Sequence, residues 1–355
     1  MGIKQDILAV LRGRQPERIP WTIYASQLFR GRAERALRNR GLGILKGCPV
    51  CATRTPNVDV ETRTFWENGR QLARRTYHTP AGTVSEKVVI APGYYSEGVV
   101  GEWIVEYMIK DVADYEAVRF IVEDTVREPD HDGFARAQAR FGDDGLLLAN
   151  MERCPIQHLS IKLAGLERVA LDLHDHPGVV EGLLEAMERK QDETYRIGVD
   201  SPAEIIWSPD NISTSRTSPR WFERYVLPFY ERHAAMVRDA GKLYVAHMDG
   251  RLAAIKHLIA RCPLDVIEAV TPPPMGDTPI TELQDAWPGK AVWCNFPESL
   301  FHEDESVIYE AALDLMRNAY SRGRFILGIT EDYPEHRMEP ALSAIARAVA
   351  DYEGA

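Results

Sequence analysis

Short apolar runs alternate with longer amphipathic segments through the second half of the chain, and this pattern predicts its secondary structure. The apolar runs have the length and composition of buried strands, and the segments between them have helical spacing. The predicted strands are residues 145–150, 204–207, 243–247, 266–269, 291–295 and 325–329. The predicted helices include residues 177–195, 219–240, 252–260 and 306–321. Strand followed by helix, repeated, predicts a parallel α/β sheet or barrel.

The first part of the chain has a different pattern. Residues 4–11 predict a short helix, residues 18–24 a first core strand, and residues 33–43 an arginine-rich helix. Residues 57–90 alternate polar and apolar side chains around two turn signals, which predicts an antiparallel hairpin excursion over one end of the core.

Together these patterns give seven candidate barrel strands, and we expect the eighth between residues 57 and 121. The simplest interpretation is a single (β/α)8 barrel domain over residues 1–355. Its N-terminal helices and hairpin elaboration would occupy about residues 1–140, and regular β/α units about residues 141–355.

Polar residues follow each predicted strand. They are Tyr24, Asn150 and Glu152, Asp210 and Asn211, His247 and Asp249, Glu268, Cys294 and Asn295, and Glu331 and Asp332. Because all strands of a barrel point the same way, these side chains are expected to meet at one mouth, where barrel enzymes carry their active sites.

The sequence LYVAHMDG, at residues 243–250, is the most informative of these strand ends. An extended chain points His247 and Asp249 to the same side. The pair could bind a metal ion or share a proton. Alternatively, the two side chains cap the next helix and satisfy each other.

For several other residues, the sequence is compatible with either a functional or a structural role. Asp210 and Asn211, in a predicted loop, could bind a polar substrate or form a turn. Glu298 is expected to cap the following helix. A single CxxC pair, Cys48 and Cys51, favours a structural or incidental role over a zinc or redox site. Four aromatic residues could line a pocket, although core packing is their commoner role. They are Tyr24, Trp207, Trp293 and Phe296.

Composition and charge narrow the classes of function. The chain has 45% hydrophobic and 27% charged residues, as globular proteins do. A formal net charge of −11 argues against nucleic acid or an anionic membrane as the main partner. No apolar stretch approaches the roughly 20 residues that span a bilayer. The N-terminus does not have the pattern of a signal peptide, and the five cysteines fit reduced thiols, so a cytoplasmic location is expected.

The order of several segments resembles that of the uroporphyrinogen decarboxylase superfamily, which also contains corrinoid-dependent methyltransferases. The segments are ILAVLRGRQPERIP at residues 7–20, and residues 163–178, 225–228, 244–250 and 292–297. The resemblance covers nearly the whole chain and implies a (β/α)8 barrel. The decarboxylases have an RQAGRY segment whose arginines bind substrate carboxylates. Here the matching stretch is ASQLFR, with only Arg30 available, which argues against tetrapyrrole decarboxylation.

The coenzyme M methyltransferases of the superfamily have a His-x-Cys zinc pair on the central strand and a further Cys after a glycine on the last strand. Here His247 matches the histidine, while Asp249 and Ile329 occupy the cysteine positions. Glu331, or Cys294 from the neighbouring strand, could complete the set. A His/carboxylate set would make zinc a stronger Lewis acid, suited to the oxygen of a methyl ether. A metal-free acid/base pair is the alternative.

The resemblance therefore predicts a methyltransferase that moves a methyl group between a small methylated substrate, or a folate-type acceptor, and a separate corrinoid protein. Methylcobalamin would be carried by that partner, because the chain has no DxHxxG motif. The predicted catalytic and zinc-binding residues are His247, Asp249 and Glu331. The predicted substrate-binding residues are Tyr24, Asn150, Glu152, Asp210, Asn211 and Asn295. Dimers, common in the superfamily, are expected.

Two alternatives remain at the level of function. One is a decarboxylase-like lyase that acts on a small carboxylate. The other is a non-catalytic protein that only docks the corrinoid protein. An enzyme requires convergent polar groups at the barrel mouth, whereas a scaffold would leave that mouth filled by apolar side chains.

Overall fold

The computed structural model describes residues 2–28, 31–90 and 102–354. The strands in these residues are β1 (Trp21–Tyr24), β2 (Leu42–Cys48), β3 (Cys51–Arg54), β4 (Asp59–Glu67), β5 (Arg70–Thr79), β6 (Gly82–Val89), β7 (Trp103–Glu106), β8 (Val126–Pro129), β9 (Gly145–Asn150), β10 (Ile205–Ile212), β11 (Leu243–Met248), β12 (Val266–Val270), β13 (Ala291–Asn295) and β14 (Phe325–Ile329). The α-helices are α1 (Ile3–Leu11), α2 (Arg32–Arg38), α3 (Asp114–Asp124), α4 (His131–Phe141), α5 (Pro155–His158), α6 (Leu166–Asp175), α7 (Pro177–Asp200), α8 (Pro219–Trp221), α9 (Leu227–Asp239), α10 (Lys256–Arg261), α11 (Ile280–Ala286), α12 (Glu305–Asn318) and α13 (Met338–Glu353).

Eight parallel strands close into a barrel in the order β1-β14-β13-β12-β11-β10-β9-β2. Helices separate successive barrel strands along the chain, so the (β/α)8 fold predicted from the alternating pattern is confirmed. The helix predicted at residues 219–240 is present as α8, a π-helical turn (Phe222–Val226) and α9. Among the described residues, no helix is long and apolar enough to cross a membrane.

The eighth barrel strand is β2, and the prediction that it lies between residues 57 and 121 is wrong. Helix α2 ends before it, so the helix predicted to reach residue 43 was also too long. Gly43 and Gly47 hid this strand, because glycine weakens the apolar pattern of a strand. Both glycines lie close to side chains of other elements. A Cβ at Gly43 would lie 2.8 Å from Cδ1 of Ile7, and one at Gly47 would lie 2.9 Å from Cζ3 of Trp207.

The antiparallel excursion predicted over residues 57–90 is confirmed. Strands β4 to β7 form one antiparallel sheet, and β3 pairs with β8. The β4–β5 turn places Asn68 and Gly69 at positive φ, as the tightest hairpin turns require. The excursion leaves the barrel at the C-terminal end of β2 and returns to it before α4. It is therefore an enlarged loop on the side of the barrel where the strands end.

Helix α1 closes the opposite end of the barrel. Its side chains Ile7 and Leu11 have no exposed surface and belong to a separate apolar cluster inside the barrel. The strand residues of that cluster include Leu45, Leu146, Leu148, Ile205, Leu243, Val245, Val266, Ala291, Trp293 and Ile326. Most of these residues lie near the starts of their strands. Burial of apolar side chains therefore fills the lower part of the barrel.

Candidate active site

Strand β11 carries the candidate site above the apolar cluster. Side chains alternate along a strand, so His247 points to the same side as Leu243 and Val245, whose side chains pack inside the barrel. In the parallel register, His247 is the direct partner of Glu268 on β12. Two neighbouring strands therefore present an imidazole and a carboxylate side by side at the upper end of the barrel interior.

Glu268 is a fully buried carboxylate that accepts three hydrogen bonds. The Tyr24 hydroxyl donates to Oε1 at 2.6 Å, and the Trp207 indole donates to Oε2 at 3.2 Å. Nδ1 of His247 lies 2.9 Å from Oε2. Because Nδ1 donates its proton to Glu268, the other ring nitrogen, Nε2, is available to a metal ion or a substrate. The sequence placed Glu268 at a strand end but predicted no role for it.

The backbone beside Glu268 is strained. Ala269 has a φ of 65°, and the pairing of β12 with β13 shifts register between Glu268 and Val270. A residue other than glycine at positive φ costs about 1–3 kcal/mol and persists where the surrounding structure demands it, commonly at functional sites. A bulge of this kind re-aims the neighbouring side chain. It therefore contributes to the orientation of Glu268.

His247, Asp249 and Glu331 form a group in which one potential ligand atom from each lies within 4.8 Å of the others. The structure therefore brings these three side chains together, as the sequence predicted. His247 bonds to Glu268 and caps no helix. The N-cap residue of α10, Ile255, receives no side-chain cap.

Cys294, considered in the sequence as another ligand, lies elsewhere. It is fully buried in the larger apolar cluster, because position 294 faces outward between inward-facing neighbours on β13.

Glu298 holds the loop that carries Glu331. Its carboxylate accepts a hydrogen bond from the Asn295 amide at 2.8 Å and from the backbone N–H of Glu331 at 3.1 Å. The Asn295 side-chain oxygen accepts the backbone N–H of Thr330 at 2.8 Å. The prediction that Glu298 caps the following helix is therefore wrong. Its carboxylate instead accepts a backbone N–H just after the neighbouring strand. No sequence signal distinguished these two roles.

Burial and neighbouring charges shift the pKa values of three of these groups. Burial alone would lower the pKa of His247, but the Glu268 carboxylate outweighs it and raises the pKa to about 9. Burial raises the pKa of Glu331 to about 7, although His247 opposes the shift. Burial also raises the pKa of Glu298 to about 8. Without a metal ion, His247 is therefore protonated at neutral pH.

The remaining predicted substrate-binding residues have different surroundings. Tyr24 is partly exposed, Asn150 is exposed at the end of β9, and Asn211 is partly exposed. Glu152 accepts a hydrogen bond from Arg127. Asp210 is fully buried. It lies in the extended end of β10, where a loop had been expected.

Asp210 accepts hydrogen bonds from three donors: the Cys154 backbone N–H, the Ser208 hydroxyl and the Tyr230 hydroxyl. These contacts support a structural role for Asp210. Of the aromatic candidates, Trp207 is partly exposed, while Trp293 and Phe296 belong to the core. Arg30 lies outside the described residues. Cys48 and Cys51 are both partly buried free thiols.

One comparison with a solved structure agrees with this architecture. A solved structure titled as a methyltransferase from Methanosarcina mazei is 13% identical to the chain, with a TM-score of 0.58 over 99% of both chains. At this identity, the match shows the fold alone. A putative vitamin-B12 independent methionine synthase from Listeria monocytogenes is 12% identical over 62% of this chain and 68% of its own, with a TM-score of 0.38. No curated protein sequence matches the chain.

The family comparison covers most of the barrel. The model of the family described as Uroporphyrinogen decarboxylase (URO-D) matches residues 154–352. This stretch is more than half of the 355 residues and includes five of the eight barrel strands, with all three members of the His247 group. The chain belongs to the uroporphyrinogen decarboxylase family.

Proposed function

We propose that the chain is a methyltransferase of this family, and that it transfers a methyl group between a small methylated substrate, or a folate-type acceptor, and a separate corrinoid protein. The observation that carries the proposal is the group of His247, Asp249 and Glu331 at the barrel mouth, with Glu268 behind the histidine. Convergent titratable side chains of this kind favour an enzyme over a docking scaffold. In this proposal residues 1–355 form one domain.

The three side chains fit a zinc-like ion. Imidazole and carboxylate groups are ordinary zinc ligands, and three protein ligands leave one position for substrate. Ligand atoms bound at about 2.1 Å from one ion lie at most about 4.2 Å apart, so a modest contraction of the present 4.8 Å limit completes the set. The His247–Glu268 contact supplies the carboxylate–histidine arrangement that usually supports a bound metal. A zinc ion held there would act as a Lewis acid on a substrate oxygen.

The residues of the chain have definite tasks in the transfer. In the transfer, the oxygen of the methyl ether would keep the electron pair of the broken oxygen–methyl bond, and a reduced corrinoid on the partner would supply the electrons for the new bond to the methyl carbon. Glu268 fixes His247 so that Nε2 faces the reacting group. In the metal-free alternative, the protonated imidazole donates its Nε2 proton to the departing oxygen, and Asp249 stabilises its charge.

The corrinoid partner is proposed on three grounds. The family resemblance includes corrinoid-dependent methyltransferases, the chain has no DxHxxG motif, and the structure from Methanosarcina mazei is titled a methyltransferase. Free thiols and reduced cobalt both require a reducing compartment, so we place the reaction in the cytoplasm.

Methyl transfer to free cob(I)alamin tests the proposal without the natural partner. The purified protein, loaded with zinc, would be incubated with cob(I)alamin and a panel of methyl ethers and methylamines, and methylcobalamin formation would be followed by absorption. We expect at least one substrate to react, and His247→Gln to slow the reaction by about a thousandfold. No methylcobalamin from any substrate, together with carbon dioxide release from a small carboxylate, would instead establish the lyase alternative.

A further inference from the structure

Arg153 is a cationic side chain at the barrel mouth that has no partner in the described protein. It lies between the end of β9 and the start of α5, and the Gln191 amide binds its backbone carbonyl at 2.8 Å. Its side chain is only partly exposed, and its Nε is fully buried without a hydrogen-bond partner. Its guanidinium makes no hydrogen bond or ion pair with any described residue.

Every other described arginine that is not exposed forms an ion pair or a side-chain hydrogen bond. Arg127, whose side chain is only 4% exposed, forms an ion pair with Glu152 through Nη2, although its Nε and Nη1 have no hydrogen-bond partner. Arg75 pairs with Glu86 and Glu102. Burying a charge is costly unless a counter-charge or hydrogen-bond acceptor accompanies it. An unpaired, partly buried guanidinium therefore indicates that its acceptor comes from outside the chain.

Charged groups of both signs surround Arg153. Burial lowers the pKa of Arg153, Asp210 and Asp249 raise it, and Arg216 lowers it. Asp210 is already occupied by its three donors. Lys162, in the π-helical turn Leu159–Leu163, is also near enough to be affected by the charge of Arg153. Asp249 belongs to the His247 group, so Arg153 and that group lie within electrostatic range of each other.

We propose that Arg153 binds the carboxylate of the substrate, whose methylated end lies at His247, Asp249 and Glu331. The inference rests on the proposed function, to which it adds the substrate class: small methylated monocarboxylates. The guanidinium fork matches a carboxylate with two parallel hydrogen bonds. A monocarboxylate fits better than a phosphate, because Asp249, whose charge acts on Arg153, would repel a doubly charged group more strongly.

This arrangement explains how the mouth would orient a small molecule. Two recognition points of opposite charge fix both the position and the direction of a substrate, and such positioning accounts for a large part of catalysis. Neutral methyl ethers would lack one of the two points. They would therefore bind more weakly and in more than one orientation.

Binding of matched small ligands tests the subsite. Calorimetry would compare methoxyacetate with methoxyacetamide, which has a similar shape and no charge, and would use acetate as a competitor without a methyl group. We expect the wild-type chain to bind methoxyacetate at least tenfold more tightly than the amide, and acetate to compete. Arg153→Gln should remove this preference, and Arg153→Lys should keep part of it, since lysine retains the charge without the fork.

The matched control is Arg238→Gln, at the far end of the barrel on α9, where the side chain is 74% exposed. It should bind methoxyacetate like the wild type. Unchanged methoxyacetate binding by Arg153→Gln, tighter binding of inorganic phosphate than of acetate, or no competition by acetate would each overturn the subsite. Failure of the methyltransferase proposal is separate: the carboxylate preference would persist while no methylcobalamin forms from methoxyacetate.

Discussion

The two ends of the barrel differ although the same strands build both. On β11, Val245 packs against the apolar cluster closed by α1, while His247, two residues further on, bonds to a buried carboxylate. The lower end stabilises the fold through apolar burial. The upper end contains a buried His–Glu pair and further carboxyl groups, which contribute little net stability or reduce it. The chain therefore separates stability and chemistry along each strand.

The largest effect should come from removing the imidazole at the upper end. His247→Gln keeps a donor beside Glu268 but removes the ring nitrogen at the mouth. We expect methyl transfer to fall by about a thousandfold, within the range for an acid/base group. The free energy of unfolding should change by only about 1 kcal/mol. Rates and urea unfolding check both parts. His257→Gln, on the exposed face of α10, is the control and should leave both unchanged.

At the lower end of the barrel, a substitution should lower stability and leave metal and substrate binding unchanged. Ile7 has no exposed surface and fills the space beside Gly43. Ile7→Ala should lower the free energy of unfolding by about 2–4 kcal/mol, through lost apolar contact and a cavity. Metal content and substrate affinity of the folded fraction should be unchanged. A variant of normal stability that lost metal would contradict the separation of the two ends.

Much of this division was predictable because alternation along strands is a strong signal. His247 and Asp249 sit two residues apart, and their convergence with Glu331 followed from the parallel barrel. Glu268 was missed as a partner because the register between β11 and β12 cannot be read from either strand alone. Its strained neighbour Ala269 has no sequence signature. Strand β2 was missed because its glycines serve packing against distant side chains.

A smaller effect should follow from neutralising the partner of His247. Glu268→Gln removes the negative charge that orients and charges the imidazole. We expect zinc affinity to fall by about 10- to 100-fold, as for other carboxylate partners of metal-binding histidines. Competition with a chelating dye measures the affinity. Glu282→Gln, an exposed glutamate on α11 that pairs with Lys256, is the matched control, and an equal loss there would refute the assignment.

A change of one pH unit should have the smallest of these effects on metal binding. A metal must displace the proton from His247, whose pKa is about 9 in the metal-free chain. Zinc affinity should therefore fall about tenfold for each unit of pH below about 9, and more steeply below about 7, where Glu331 also becomes protonated. Titrations in non-chelating buffers between pH 6 and 9 measure this slope. A flat profile would show that His247 is not a ligand.

Metal analysis of the protein purified without chelator tests the central claim most directly. The wild-type chain should contain about one zinc-like ion, as a single mononuclear site requires. His247→Ala and Glu331→Ala should each lose it, because both side chains belong to the same group at the mouth. If His247→Ala loses the ion and Glu331→Ala keeps it, a water molecule takes the ligand position assigned to Glu331. No stoichiometric metal in the wild-type protein would contradict the site and leave His247 with Asp249 as an acid/base pair.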